Sequence, residues 1–323
     1  MTRLMIAFCA AMLAATPPTR AAEAWPSRAV RIVVPYPAGG ATDFVARTVA
    51  ERLAKSIGQP VVVDNKPGAA GAIGAAEAAR AAPDGHTLLM TITDTQVNNA
   101  ALYRRLAYDP RADFIGVTQI VRSPALVSTH PGTGIGRLAE LKAKAAQGAR
   151  LSFGSWGIGS LGHLAGETLN RSLGAGMVHV PHRGEGPVVT DLLSGTIDIG
   201  LSSVASAMQH VQGGRIVPLA VLGRQRSTSL PQVPTLRELG FDDPLYDSNV
   251  WIGLLAPART PQPVVEQLAR EIRAIVGQPE IGRLFVGRGF ELLNTTPAQF
   301  AEGYAAEFDI VTRRIRELGL QAE

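Results

Sequence analysis

Cysteine is nearly absent from this chain, since Cys9 is the only one in 323 residues. Cys9 lies within a short apolar run near the N-terminus. A mature chain that has lost this run has no disulfide, no thiolate metal site and no cysteine nucleophile. Cys9 also comes before the end of the run, which disfavours the alternative that it is a lipid-attachment residue.

Charge and aromatic residues are also sparse. Charged residues make up 18% of the chain and aromatic residues 5%, and the net charge is +4. Lysine and arginine form no cluster, so the sequence predicts no nucleic-acid-binding surface. With 46% hydrophobic residues over this length, the chain can bury the core of one large domain or two medium ones.

Long hydrophobic runs are missing as well, but a short one lies at the N-terminus. Arg3 precedes the apolar stretch 4–15, and the Ala-Glu-Ala sequence at 22–24 fits a cleavage site. This order is typical of a secretory signal peptide and predicts that residues 1–24 are removed, leaving Trp25 first. A disordered leader is the alternative. No later segment reaches the ~18 apolar residues of a membrane span, so we expect a soluble protein exported to the periplasm.

Short runs rich in valine and isoleucine alternate with helical patterns along the rest of the chain. The predicted strands are 30–36, 61–64, 87–92, 114–121, 151–153, 177–180, 196–201, 216–222 and 250–255. The clearest predicted helices are 42–57, 263–276 and 297–318. This alternation predicts an α/β fold with open, mostly parallel sheets and helices on both faces. Because no flexible linker is present, a domain boundary has to be a strand crossing.

The segment VPYPAGGATD at 34–43 joins a strand to a helix through a glycine turn. Gly39 and Gly40 leave backbone N–H groups uncovered at the positive end of that helix, which is suited to an anion. Asp43, in the first helical turn, can cap free N–H groups. A simple tight turn without a ligand is the alternative.

The segment SFGSWGIGSLGHLAGE at 152–167 repeats the strand–glycine–helix pattern. Its Gly-x-Gly-x-x-Gly spacing is a weak dinucleotide signal, and no acidic residue follows about twenty positions later at a strand end. We therefore favour a second oxyanion cradle, with the hydroxyls of Ser155 and Ser160 and helix-terminal N–H groups as donors. A plain glycine-rich turn is the alternative.

The segment VHVPHRGEGPVVTDLLSGTIDIG at 178–200 is a third such turn, with His182, Arg183 and Glu185 as its polar groups. His179 and His182 form a His-x-x-His pair without a third ligand, so we expect no metal and no cofactor. Hydrolase chemistry has little support, because there is no Gly-x-Ser-x-Gly elbow. Ser160 with His163 is the remaining enzymatic alternative.

Together these segments resemble the tripartite tricarboxylate transporter substrate-binding family, also called Bug-type receptors. Further stretches in family order carry the resemblance: DNKPGAAGAIGA at 64–75, PDGHTLL at 83–89, YDPRADF at 108–114, LPQVPTLRELGF at 230–241, WIGLLAPARTP at 251–261 and TPAQF at 296–300. Each motif is modest alone, but their number, order and spacing make the match specific. It extends from Trp25 to the end of the chain.

The resemblance implies a two-lobed periplasmic binding protein of type II-like α/β fold, in which each lobe is a sheet flanked by helices and a ligand cleft lies between the lobes. Lobe 1 would comprise 25–124 and 249–323, and lobe 2 would comprise 125–248. The implied ligand is a small carboxylate and the implied partner a membrane permease complex. We expect a monomer without catalysis; a sensor that signals ligand binding is the alternative.

The resemblance also implies the ligand contacts. On the first lobe these would be Tyr36, Pro37, Ala38, Gly39, Gly40, Thr42, Asp43 and Thr91. On the second they would be Ser155, Trp156, Gly157, Gly159, Ser160, His163, His182, Gly184, Glu185, Ser202 and Ser203. Three features depart from the family pattern. His182 stands where a tyrosine is usual, the strand end at Ser202 and Ser203 lacks the acidic residue often found there, and Glu185 stands where small residues are common. We expect Glu185 to face the distal part of the ligand.

Overall fold

The computed structural model describes residues 25–321. The predicted signal peptide, its cleavage site and Cys9 lie outside the described residues. No helix in the described part of the chain is long and apolar enough to cross a membrane.

The first sheet has six strands in the order β11-β4-β10-β3-β1-β2. They are β1 (Val30–Val34), β2 (Val61–Asn65), β3 (Thr87–Ile92), β4 (Phe114–Ser123), β10 (Val250–Pro257) and β11 (Glu291–Leu292). β1 lies parallel to both β2 and β3, with Ile32 opposite Val63 on one side and Leu88 on the other. Val30, Ile32, Val33 and Val34 are fully buried, as is typical of strands covered on both faces.

The second sheet has five strands in the order β7-β6-β8-β5-β9. They are β5 (Ala125–Thr129), β6 (Ser152–Ser155), β7 (Val178–Pro181), β8 (Ile199–Ser203) and β9 (Val217–Val221). Every strand of this sheet comes from the middle of the chain, whereas the first sheet combines strands from before and after it. The molecule therefore has the two-lobed α/β architecture that the resemblance implies.

Ten α-helices connect the strands within residues 25–321. They are α1 (Ala41–Ile57), α2 (Ala72–Ala79), α3 (Asn99–Leu102), α4 (Leu138–Ala146), α5 (Leu161–Leu173), α6 (Glu185–Ser194), α7 (Val204–Gln212), α8 (Gln262–Val276), α9 (Pro279–Val286) and α10 (Pro297–Leu318). α1, α8 and α10 coincide with the predicted helices to within one residue. α1 ends at Gly58, which is left-handed with φ of 67°, as a glycine stop requires.

The sheets are mixed, and the expectation of mostly parallel sheets is wrong. β10 lies antiparallel to β3 and β4, and β5 lies antiparallel to β8 and β9. The reason is the route of the chain. β5 carries the chain into the second sheet directly after Pro124, and β10 carries it back into the first, so both start at the edge where the parallel strands end.

Candidate functional site

In the turn between β1 and α1, one of the two backbone N–H groups that we expected to be free is already hydrogen-bonded. Gly39 is left-handed with φ of 83°, a conformation that favours glycine. Its N–H is not free, because it donates to Asp43 Oδ2 at 2.8 Å. Gly40 is the N-cap of α1 in extended conformation. Among the described residues the Gly40 N–H has no hydrogen-bond acceptor, and Gly40 is exposed.

Asp43 is buried but stays a charged carboxylate. Its Oδ2 also accepts from Arg47 Nε at 2.9 Å, and Asn65 Nδ2 donates to Oδ1 at 3.0 Å. Burial by itself raises the pKa of Asp43, but the hydrogen bonds from Arg47, Gly39 and Asn65 outweigh it and hold the pKa below its ordinary value. Asp43 thus fixes the turn and is neutralised by Arg47, which leaves the α1 N-terminus available to another anion.

Tyr36 and Thr91 lie beneath this turn. The Tyr36 hydroxyl hydrogen-bonds the Thr95 hydroxyl, and burial raises the Tyr36 pKa, which keeps the phenol protonated. Thr91 is fully buried, and its hydroxyl has no hydrogen-bond partner among the described residues. A buried hydroxyl without a partner is uncommon in native structures, and the neighbouring group is the Tyr36 phenol.

In the loop between β6 and α5, donors that the sequence assigned to a ligand make hydrogen bonds within the protein instead. Ser160 is the N-cap of α5: its hydroxyl accepts from the His163 N–H at 3.2 Å and donates to the Gly157 carbonyl at 2.7 Å. His163 Nδ1 accepts from the Gly159 N–H at 2.9 Å. The His163 proton therefore lies on Nε2, and neither Ser160 nor His163 forms the nucleophile–base pair of a hydrolase.

The second oxyanion cradle is filled by Asp94, which the sequence analysis missed. Asp94 begins a π-helical turn, Asp94–Asn98, directly after β3. Trp156 Nε1 donates to its Oδ2 at 2.7 Å, and the Leu161 N–H donates to its Oδ1 at 3.3 Å. Asn98 donates to Asp94 Oδ1 at 3.0 Å and to the Gly159 carbonyl at 2.7 Å. The one sequence signal near Asp94 is the predicted end of a strand at residue 92.

Glu185 lies at the start of α6 and caps a neighbouring helix. Its carboxylate accepts from the Ser203 N–H at 2.9 Å and from the Ser203 hydroxyl at 2.7 Å, and it also accepts from the Ser206 hydroxyl. Ser203 is the N-cap of α7. Burial raises the pKa of Glu185 against these hydrogen bonds. Both carboxylate oxygens thus have acceptor roles within the second lobe, which the sequence did not indicate.

Three histidines of the second lobe, His163, His179 and His182, make their contacts within it. His182 contacts Asp191 Oδ2 at 2.8 Å through Nε2 and the Val180 carbonyl at 3.0 Å through Nδ1. His163 stacks on His179 with ring centroids 3.9 Å apart. Burial lowers the pKa of His163 to about 4 and that of His179 to about 3. Both rings are neutral at physiological pH.

Ser155 is fully buried, and its hydroxyl is hydrogen-bonded within the protein. Its Oγ lies 2.8 Å from His179 Nε2 and 3.2 Å from the Gly157 carbonyl. Within residues 25–321 no cluster of three or more histidine, cysteine, aspartate or glutamate side chains could hold a metal.

A cavity of about 480 Å³ lies beside the strand crossings. It contains none of the predicted site residues, and its wall includes Gln119, Arg122, Asn249, Trp251 and Glu307. Trp251 Nε1 donates to Glu307 at 2.5 Å. Burial raises the pKa of Glu307 to about 8; the Trp251 hydrogen bond opposes the rise and the charge of Asp94 adds to it. Arg122 is paired with Glu291 at 2.8 Å, so Glu307 is the acid here with a strongly altered pKa.

The predicted residues thus fall into three groups. Tyr36, Thr91 and the exposed residues 37–40 belong to the first lobe, near the Asp94–Asn98 turn. Trp156 and Gly159 meet that turn from the second lobe. His163, His182 and Glu185 make hydrogen bonds inside the second lobe. Among the described residues no hydrogen bond joins the loop 36–43 directly to the second lobe. Asp94 and Asn98 link the two halves near this loop, and the Arg314–Asp243 ion pair links them elsewhere.

Comparison with known proteins places this geometry in context. A family model described as "Tripartite tricarboxylate transporter family receptor" matches residues 45–320. The protein BugT of Bordetella pertussis is 32% identical over 300 residues, which is 92% of this chain and 91% of BugT.

Two solved structures are similar over nearly their whole length. An R. palustris protein with adipate is 31% identical with a TM-score of 0.85, covering 92% of this chain and 99% of that one. MatC from Rhodopseudomonas palustris with bound malate is 30% identical with a TM-score of 0.81, covering 90% and 99%.

Proposed function

The chain belongs to the tripartite tricarboxylate transporter receptor family, and we propose that it captures a small organic carboxylate in the periplasm and delivers it to a membrane permease of that transporter type. The observation that carries the proposal is the α1 N-terminus. There Gly40 has no side-chain cap and its exposed N–H lies at the positive end of a 17-residue helix. Relatives whose structures contain adipate and malate agree with a carboxylate ligand.

The ligand cleft in this proposal lies between lobe 1, residues 25–124 and 249–323, and lobe 2, residues 125–248. The distribution of strands supports the division, because β1 to β4 and β10 to β11 share one sheet while β5 to β9 share the other. Gly40 and Thr91 would supply donors from the first lobe. The second lobe would close over the remainder of the ligand through the loops at 155–160 and 182–185.

A thermal-shift screen of mono-, di- and tricarboxylates, aromatic ones included, tests carboxylate binding. A ligand that binds only the folded protein raises the melting temperature by mass action. At a ligand concentration about one hundred times Kd, the free energy of unfolding rises by about 2.7 kcal/mol. Amino sugars and neutral sugars of similar size serve as the control panel. If the control panel gives the shifts and no carboxylate does, the proposal is wrong.

Delivery to a permease is tested separately from binding. Uptake of the identified carboxylate should require both this protein and the permease subunits, and should be lost when either is deleted. A strain without the permease that keeps the transcriptional response to the ligand would instead support a sensor.

A further inference from the structure

Asp94 makes the contacts that a bound carboxylate would make. It belongs to the chain segment after β3 of the first sheet, but its oxygens reach the N-terminus of α5 in the second lobe. The Trp156 indole at 2.7 Å, the Leu161 N–H at 3.3 Å and the Asn98 amide at 3.0 Å all donate to it. Only 6% of Asp94 is exposed. Each oxygen has at least one donor, so the group is fully satisfied within the protein.

The site that Asp94 fills is the one best suited to a second ligand carboxylate. A helix N-terminus favours a negative charge, and charge-assisted hydrogen bonds to it are stronger than neutral ones. The Asp94 side chain already occupies the space in front of these donors and is almost fully buried. A ligand carboxylate could enter this cradle only by displacing Asp94, which would leave a buried charge without donors.

The electrostatic surroundings also disfavour a second anion. Glu185 lies close enough to influence Asp94 electrostatically, and its donors are Ser203 and Ser206. Among the described residues neither Asp94 nor Glu185 makes a salt bridge with lysine or arginine. Burial raises the pKa of both carboxylates. In their ionised form, without a cationic partner, they repel a further carboxylate, because like charges interact strongly in a region of low dielectric constant.

We propose that Asp94 is a specificity-determining residue that takes the place of a second ligand carboxylate, so that this chain binds monocarboxylates and rejects α,ω-dicarboxylates of the same length. The distal end of the preferred ligand is neutral or carries an ammonium group. This inference rests on the proposed function, since it assumes that one carboxylate binds at the α1 N-terminus. The relatives that contain adipate and malate would differ from this chain in their second subsite.

Calorimetry with matched pairs of probes tests the inference: butyrate against succinate, hexanoate against adipate, and benzoate against terephthalate. For the wild-type chain we expect the monocarboxylate of at least one pair to bind at least tenfold more tightly than its dicarboxylate. Asp94→Ser removes the carboxylate and leaves the donors of Trp156, Asn98 and Leu161. In this variant the affinity for the dicarboxylate should rise roughly 10- to 100-fold, because a charge-assisted hydrogen bond contributes about that much. The affinity for the monocarboxylate should change by less than about threefold.

Asp198→Asn is the matched control, because it removes one negative charge from the second lobe at a residue that binds Ser152 instead. It should leave the mono-to-dicarboxylate ratio unchanged. If Asp94→Ser does not fold by circular dichroism, Asp94→Asn should shift the ratio in the same direction.

Tighter binding of dicarboxylates by the wild-type chain, or an unchanged ratio in the folded Asp94 variant, would overturn the inference and leave the proposed function standing. If no carboxylate in any pair binds the wild-type chain, the inference fails. The proposed function fails as well when the wider thermal-shift panel also gives no carboxylate ligand.

Discussion

Gly39 and Gly40 are adjacent in sequence but have different roles. Gly39 has φ of 83°, whereas Gly40 has φ of −77° and a Cβ there would lie 3.5 Å from the Pro37 carbonyl oxygen. The fold therefore needs glycine at 39 and accepts a side chain at 40. The sequence could not separate them, because backbone conformation is not visible in a Gly-Gly pair.

The first prediction follows from this difference. Gly39→Ala should lower the free energy of unfolding by about 1–2 kcal/mol through the left-handed backbone, and Gly40→Val by less than about 1 kcal/mol as an N-cap change. Gly40→Val should still weaken every carboxylate ligand by roughly 10- to 100-fold, because its side chain shields the N–H. Urea denaturation and calorimetry measure the two effects. Unchanged ligand affinity in Gly40→Val would remove this N–H from the site.

Glu307 gives the second prediction. In the unfolded chain its pKa is near 4.5, and in the folded chain it is about 8, so the folded state keeps a proton that the unfolded state loses. Stability associated with this group is thus present below pH 4.5 and falls as the pH rises towards 8. Glu307→Gln keeps an acceptor for Trp251 and removes the titration. As the pH rises from 5 to 9, the free energy of unfolding of the variant should increase by roughly 1–3 kcal/mol relative to that of the wild type.

Urea denaturation at the two pH values measures this gain. Glu302→Gln, on the exposed face of the same helix, is the control and should show no pH-dependent difference. A Glu307→Gln variant whose stability relative to wild type is the same at pH 5 and pH 9 would contradict the assignment.

Secondary structure elements were the part of this fold that the sequence predicted best. β3 and α10 were bounded correctly at both ends, because a continuous apolar run and a six-residue apolar stripe are unambiguous signals. β5 and β11 were missed. β5 follows β4 after Pro124 alone and ends in the polar residues Ser128 and Thr129, so no turn sequence separates it from β4. β11 has only two residues, which is too few for a period to show.

Side-chain partners across elements were largely unpredictable. Ser160 was correctly placed at a helix start, where its partners Gly157 and His163 are local in sequence. The donors to Glu185 come from Ser203 and Ser206, which the packing of α6 against α7 brings to it. Asp94 was missed because nothing in its local sequence signals that α5, more than sixty residues later, needs a carboxylate at its N-terminus.

The third prediction concerns α7, whose N-terminus is capped by Glu185. Glu185→Ala removes the acceptor of the Ser203 N–H and of two hydroxyls, and should cost about 1–3 kcal/mol of stability. Glu140→Ala is the matched control: Glu140 accepts from the Gly136 N–H at 2.6 Å, but 39% of its side chain is exposed, so the loss should be smaller than that of Glu185→Ala. Equal shifts of the urea midpoint in the two variants would show that the hydrogen bonds of Glu185 contribute no more stability than those of Glu140.

The two lobes are joined at Pro124 and by the return segment that leads to β10. They also contact each other through the Asp94–Asn98 turn, the Arg314–Asp243 ion pair and the hydrogen bond from the Thr228 N–H to Glu291. If ligand binding closes the cleft, closure is favoured only to the extent that the ligand contacts both lobes better when shut. The hydrogen bonds from Trp156 and Leu161 to Asp94 also favour the closed arrangement, and they form without a ligand. They should therefore shift the lobes towards the closed arrangement, and weakening them should open the free protein.

Trp156→Phe tests this at the scale of the whole molecule, because it keeps an aromatic ring and removes the indole donor to Asp94. Small-angle scattering should show a larger radius of gyration for the free variant than for the free wild type, against about 19 Å expected for a compact chain of this length. A saturating carboxylate from the thermal-shift screen should bring both proteins to the same smaller value. Trp251→Phe is the control, because it removes an indole donor to Glu307 within the first lobe and should leave the radius unchanged. If Trp156→Phe and Trp251→Phe scatter alike without ligand, Asp94 does not hold the lobes together, and closure depends on the ligand alone.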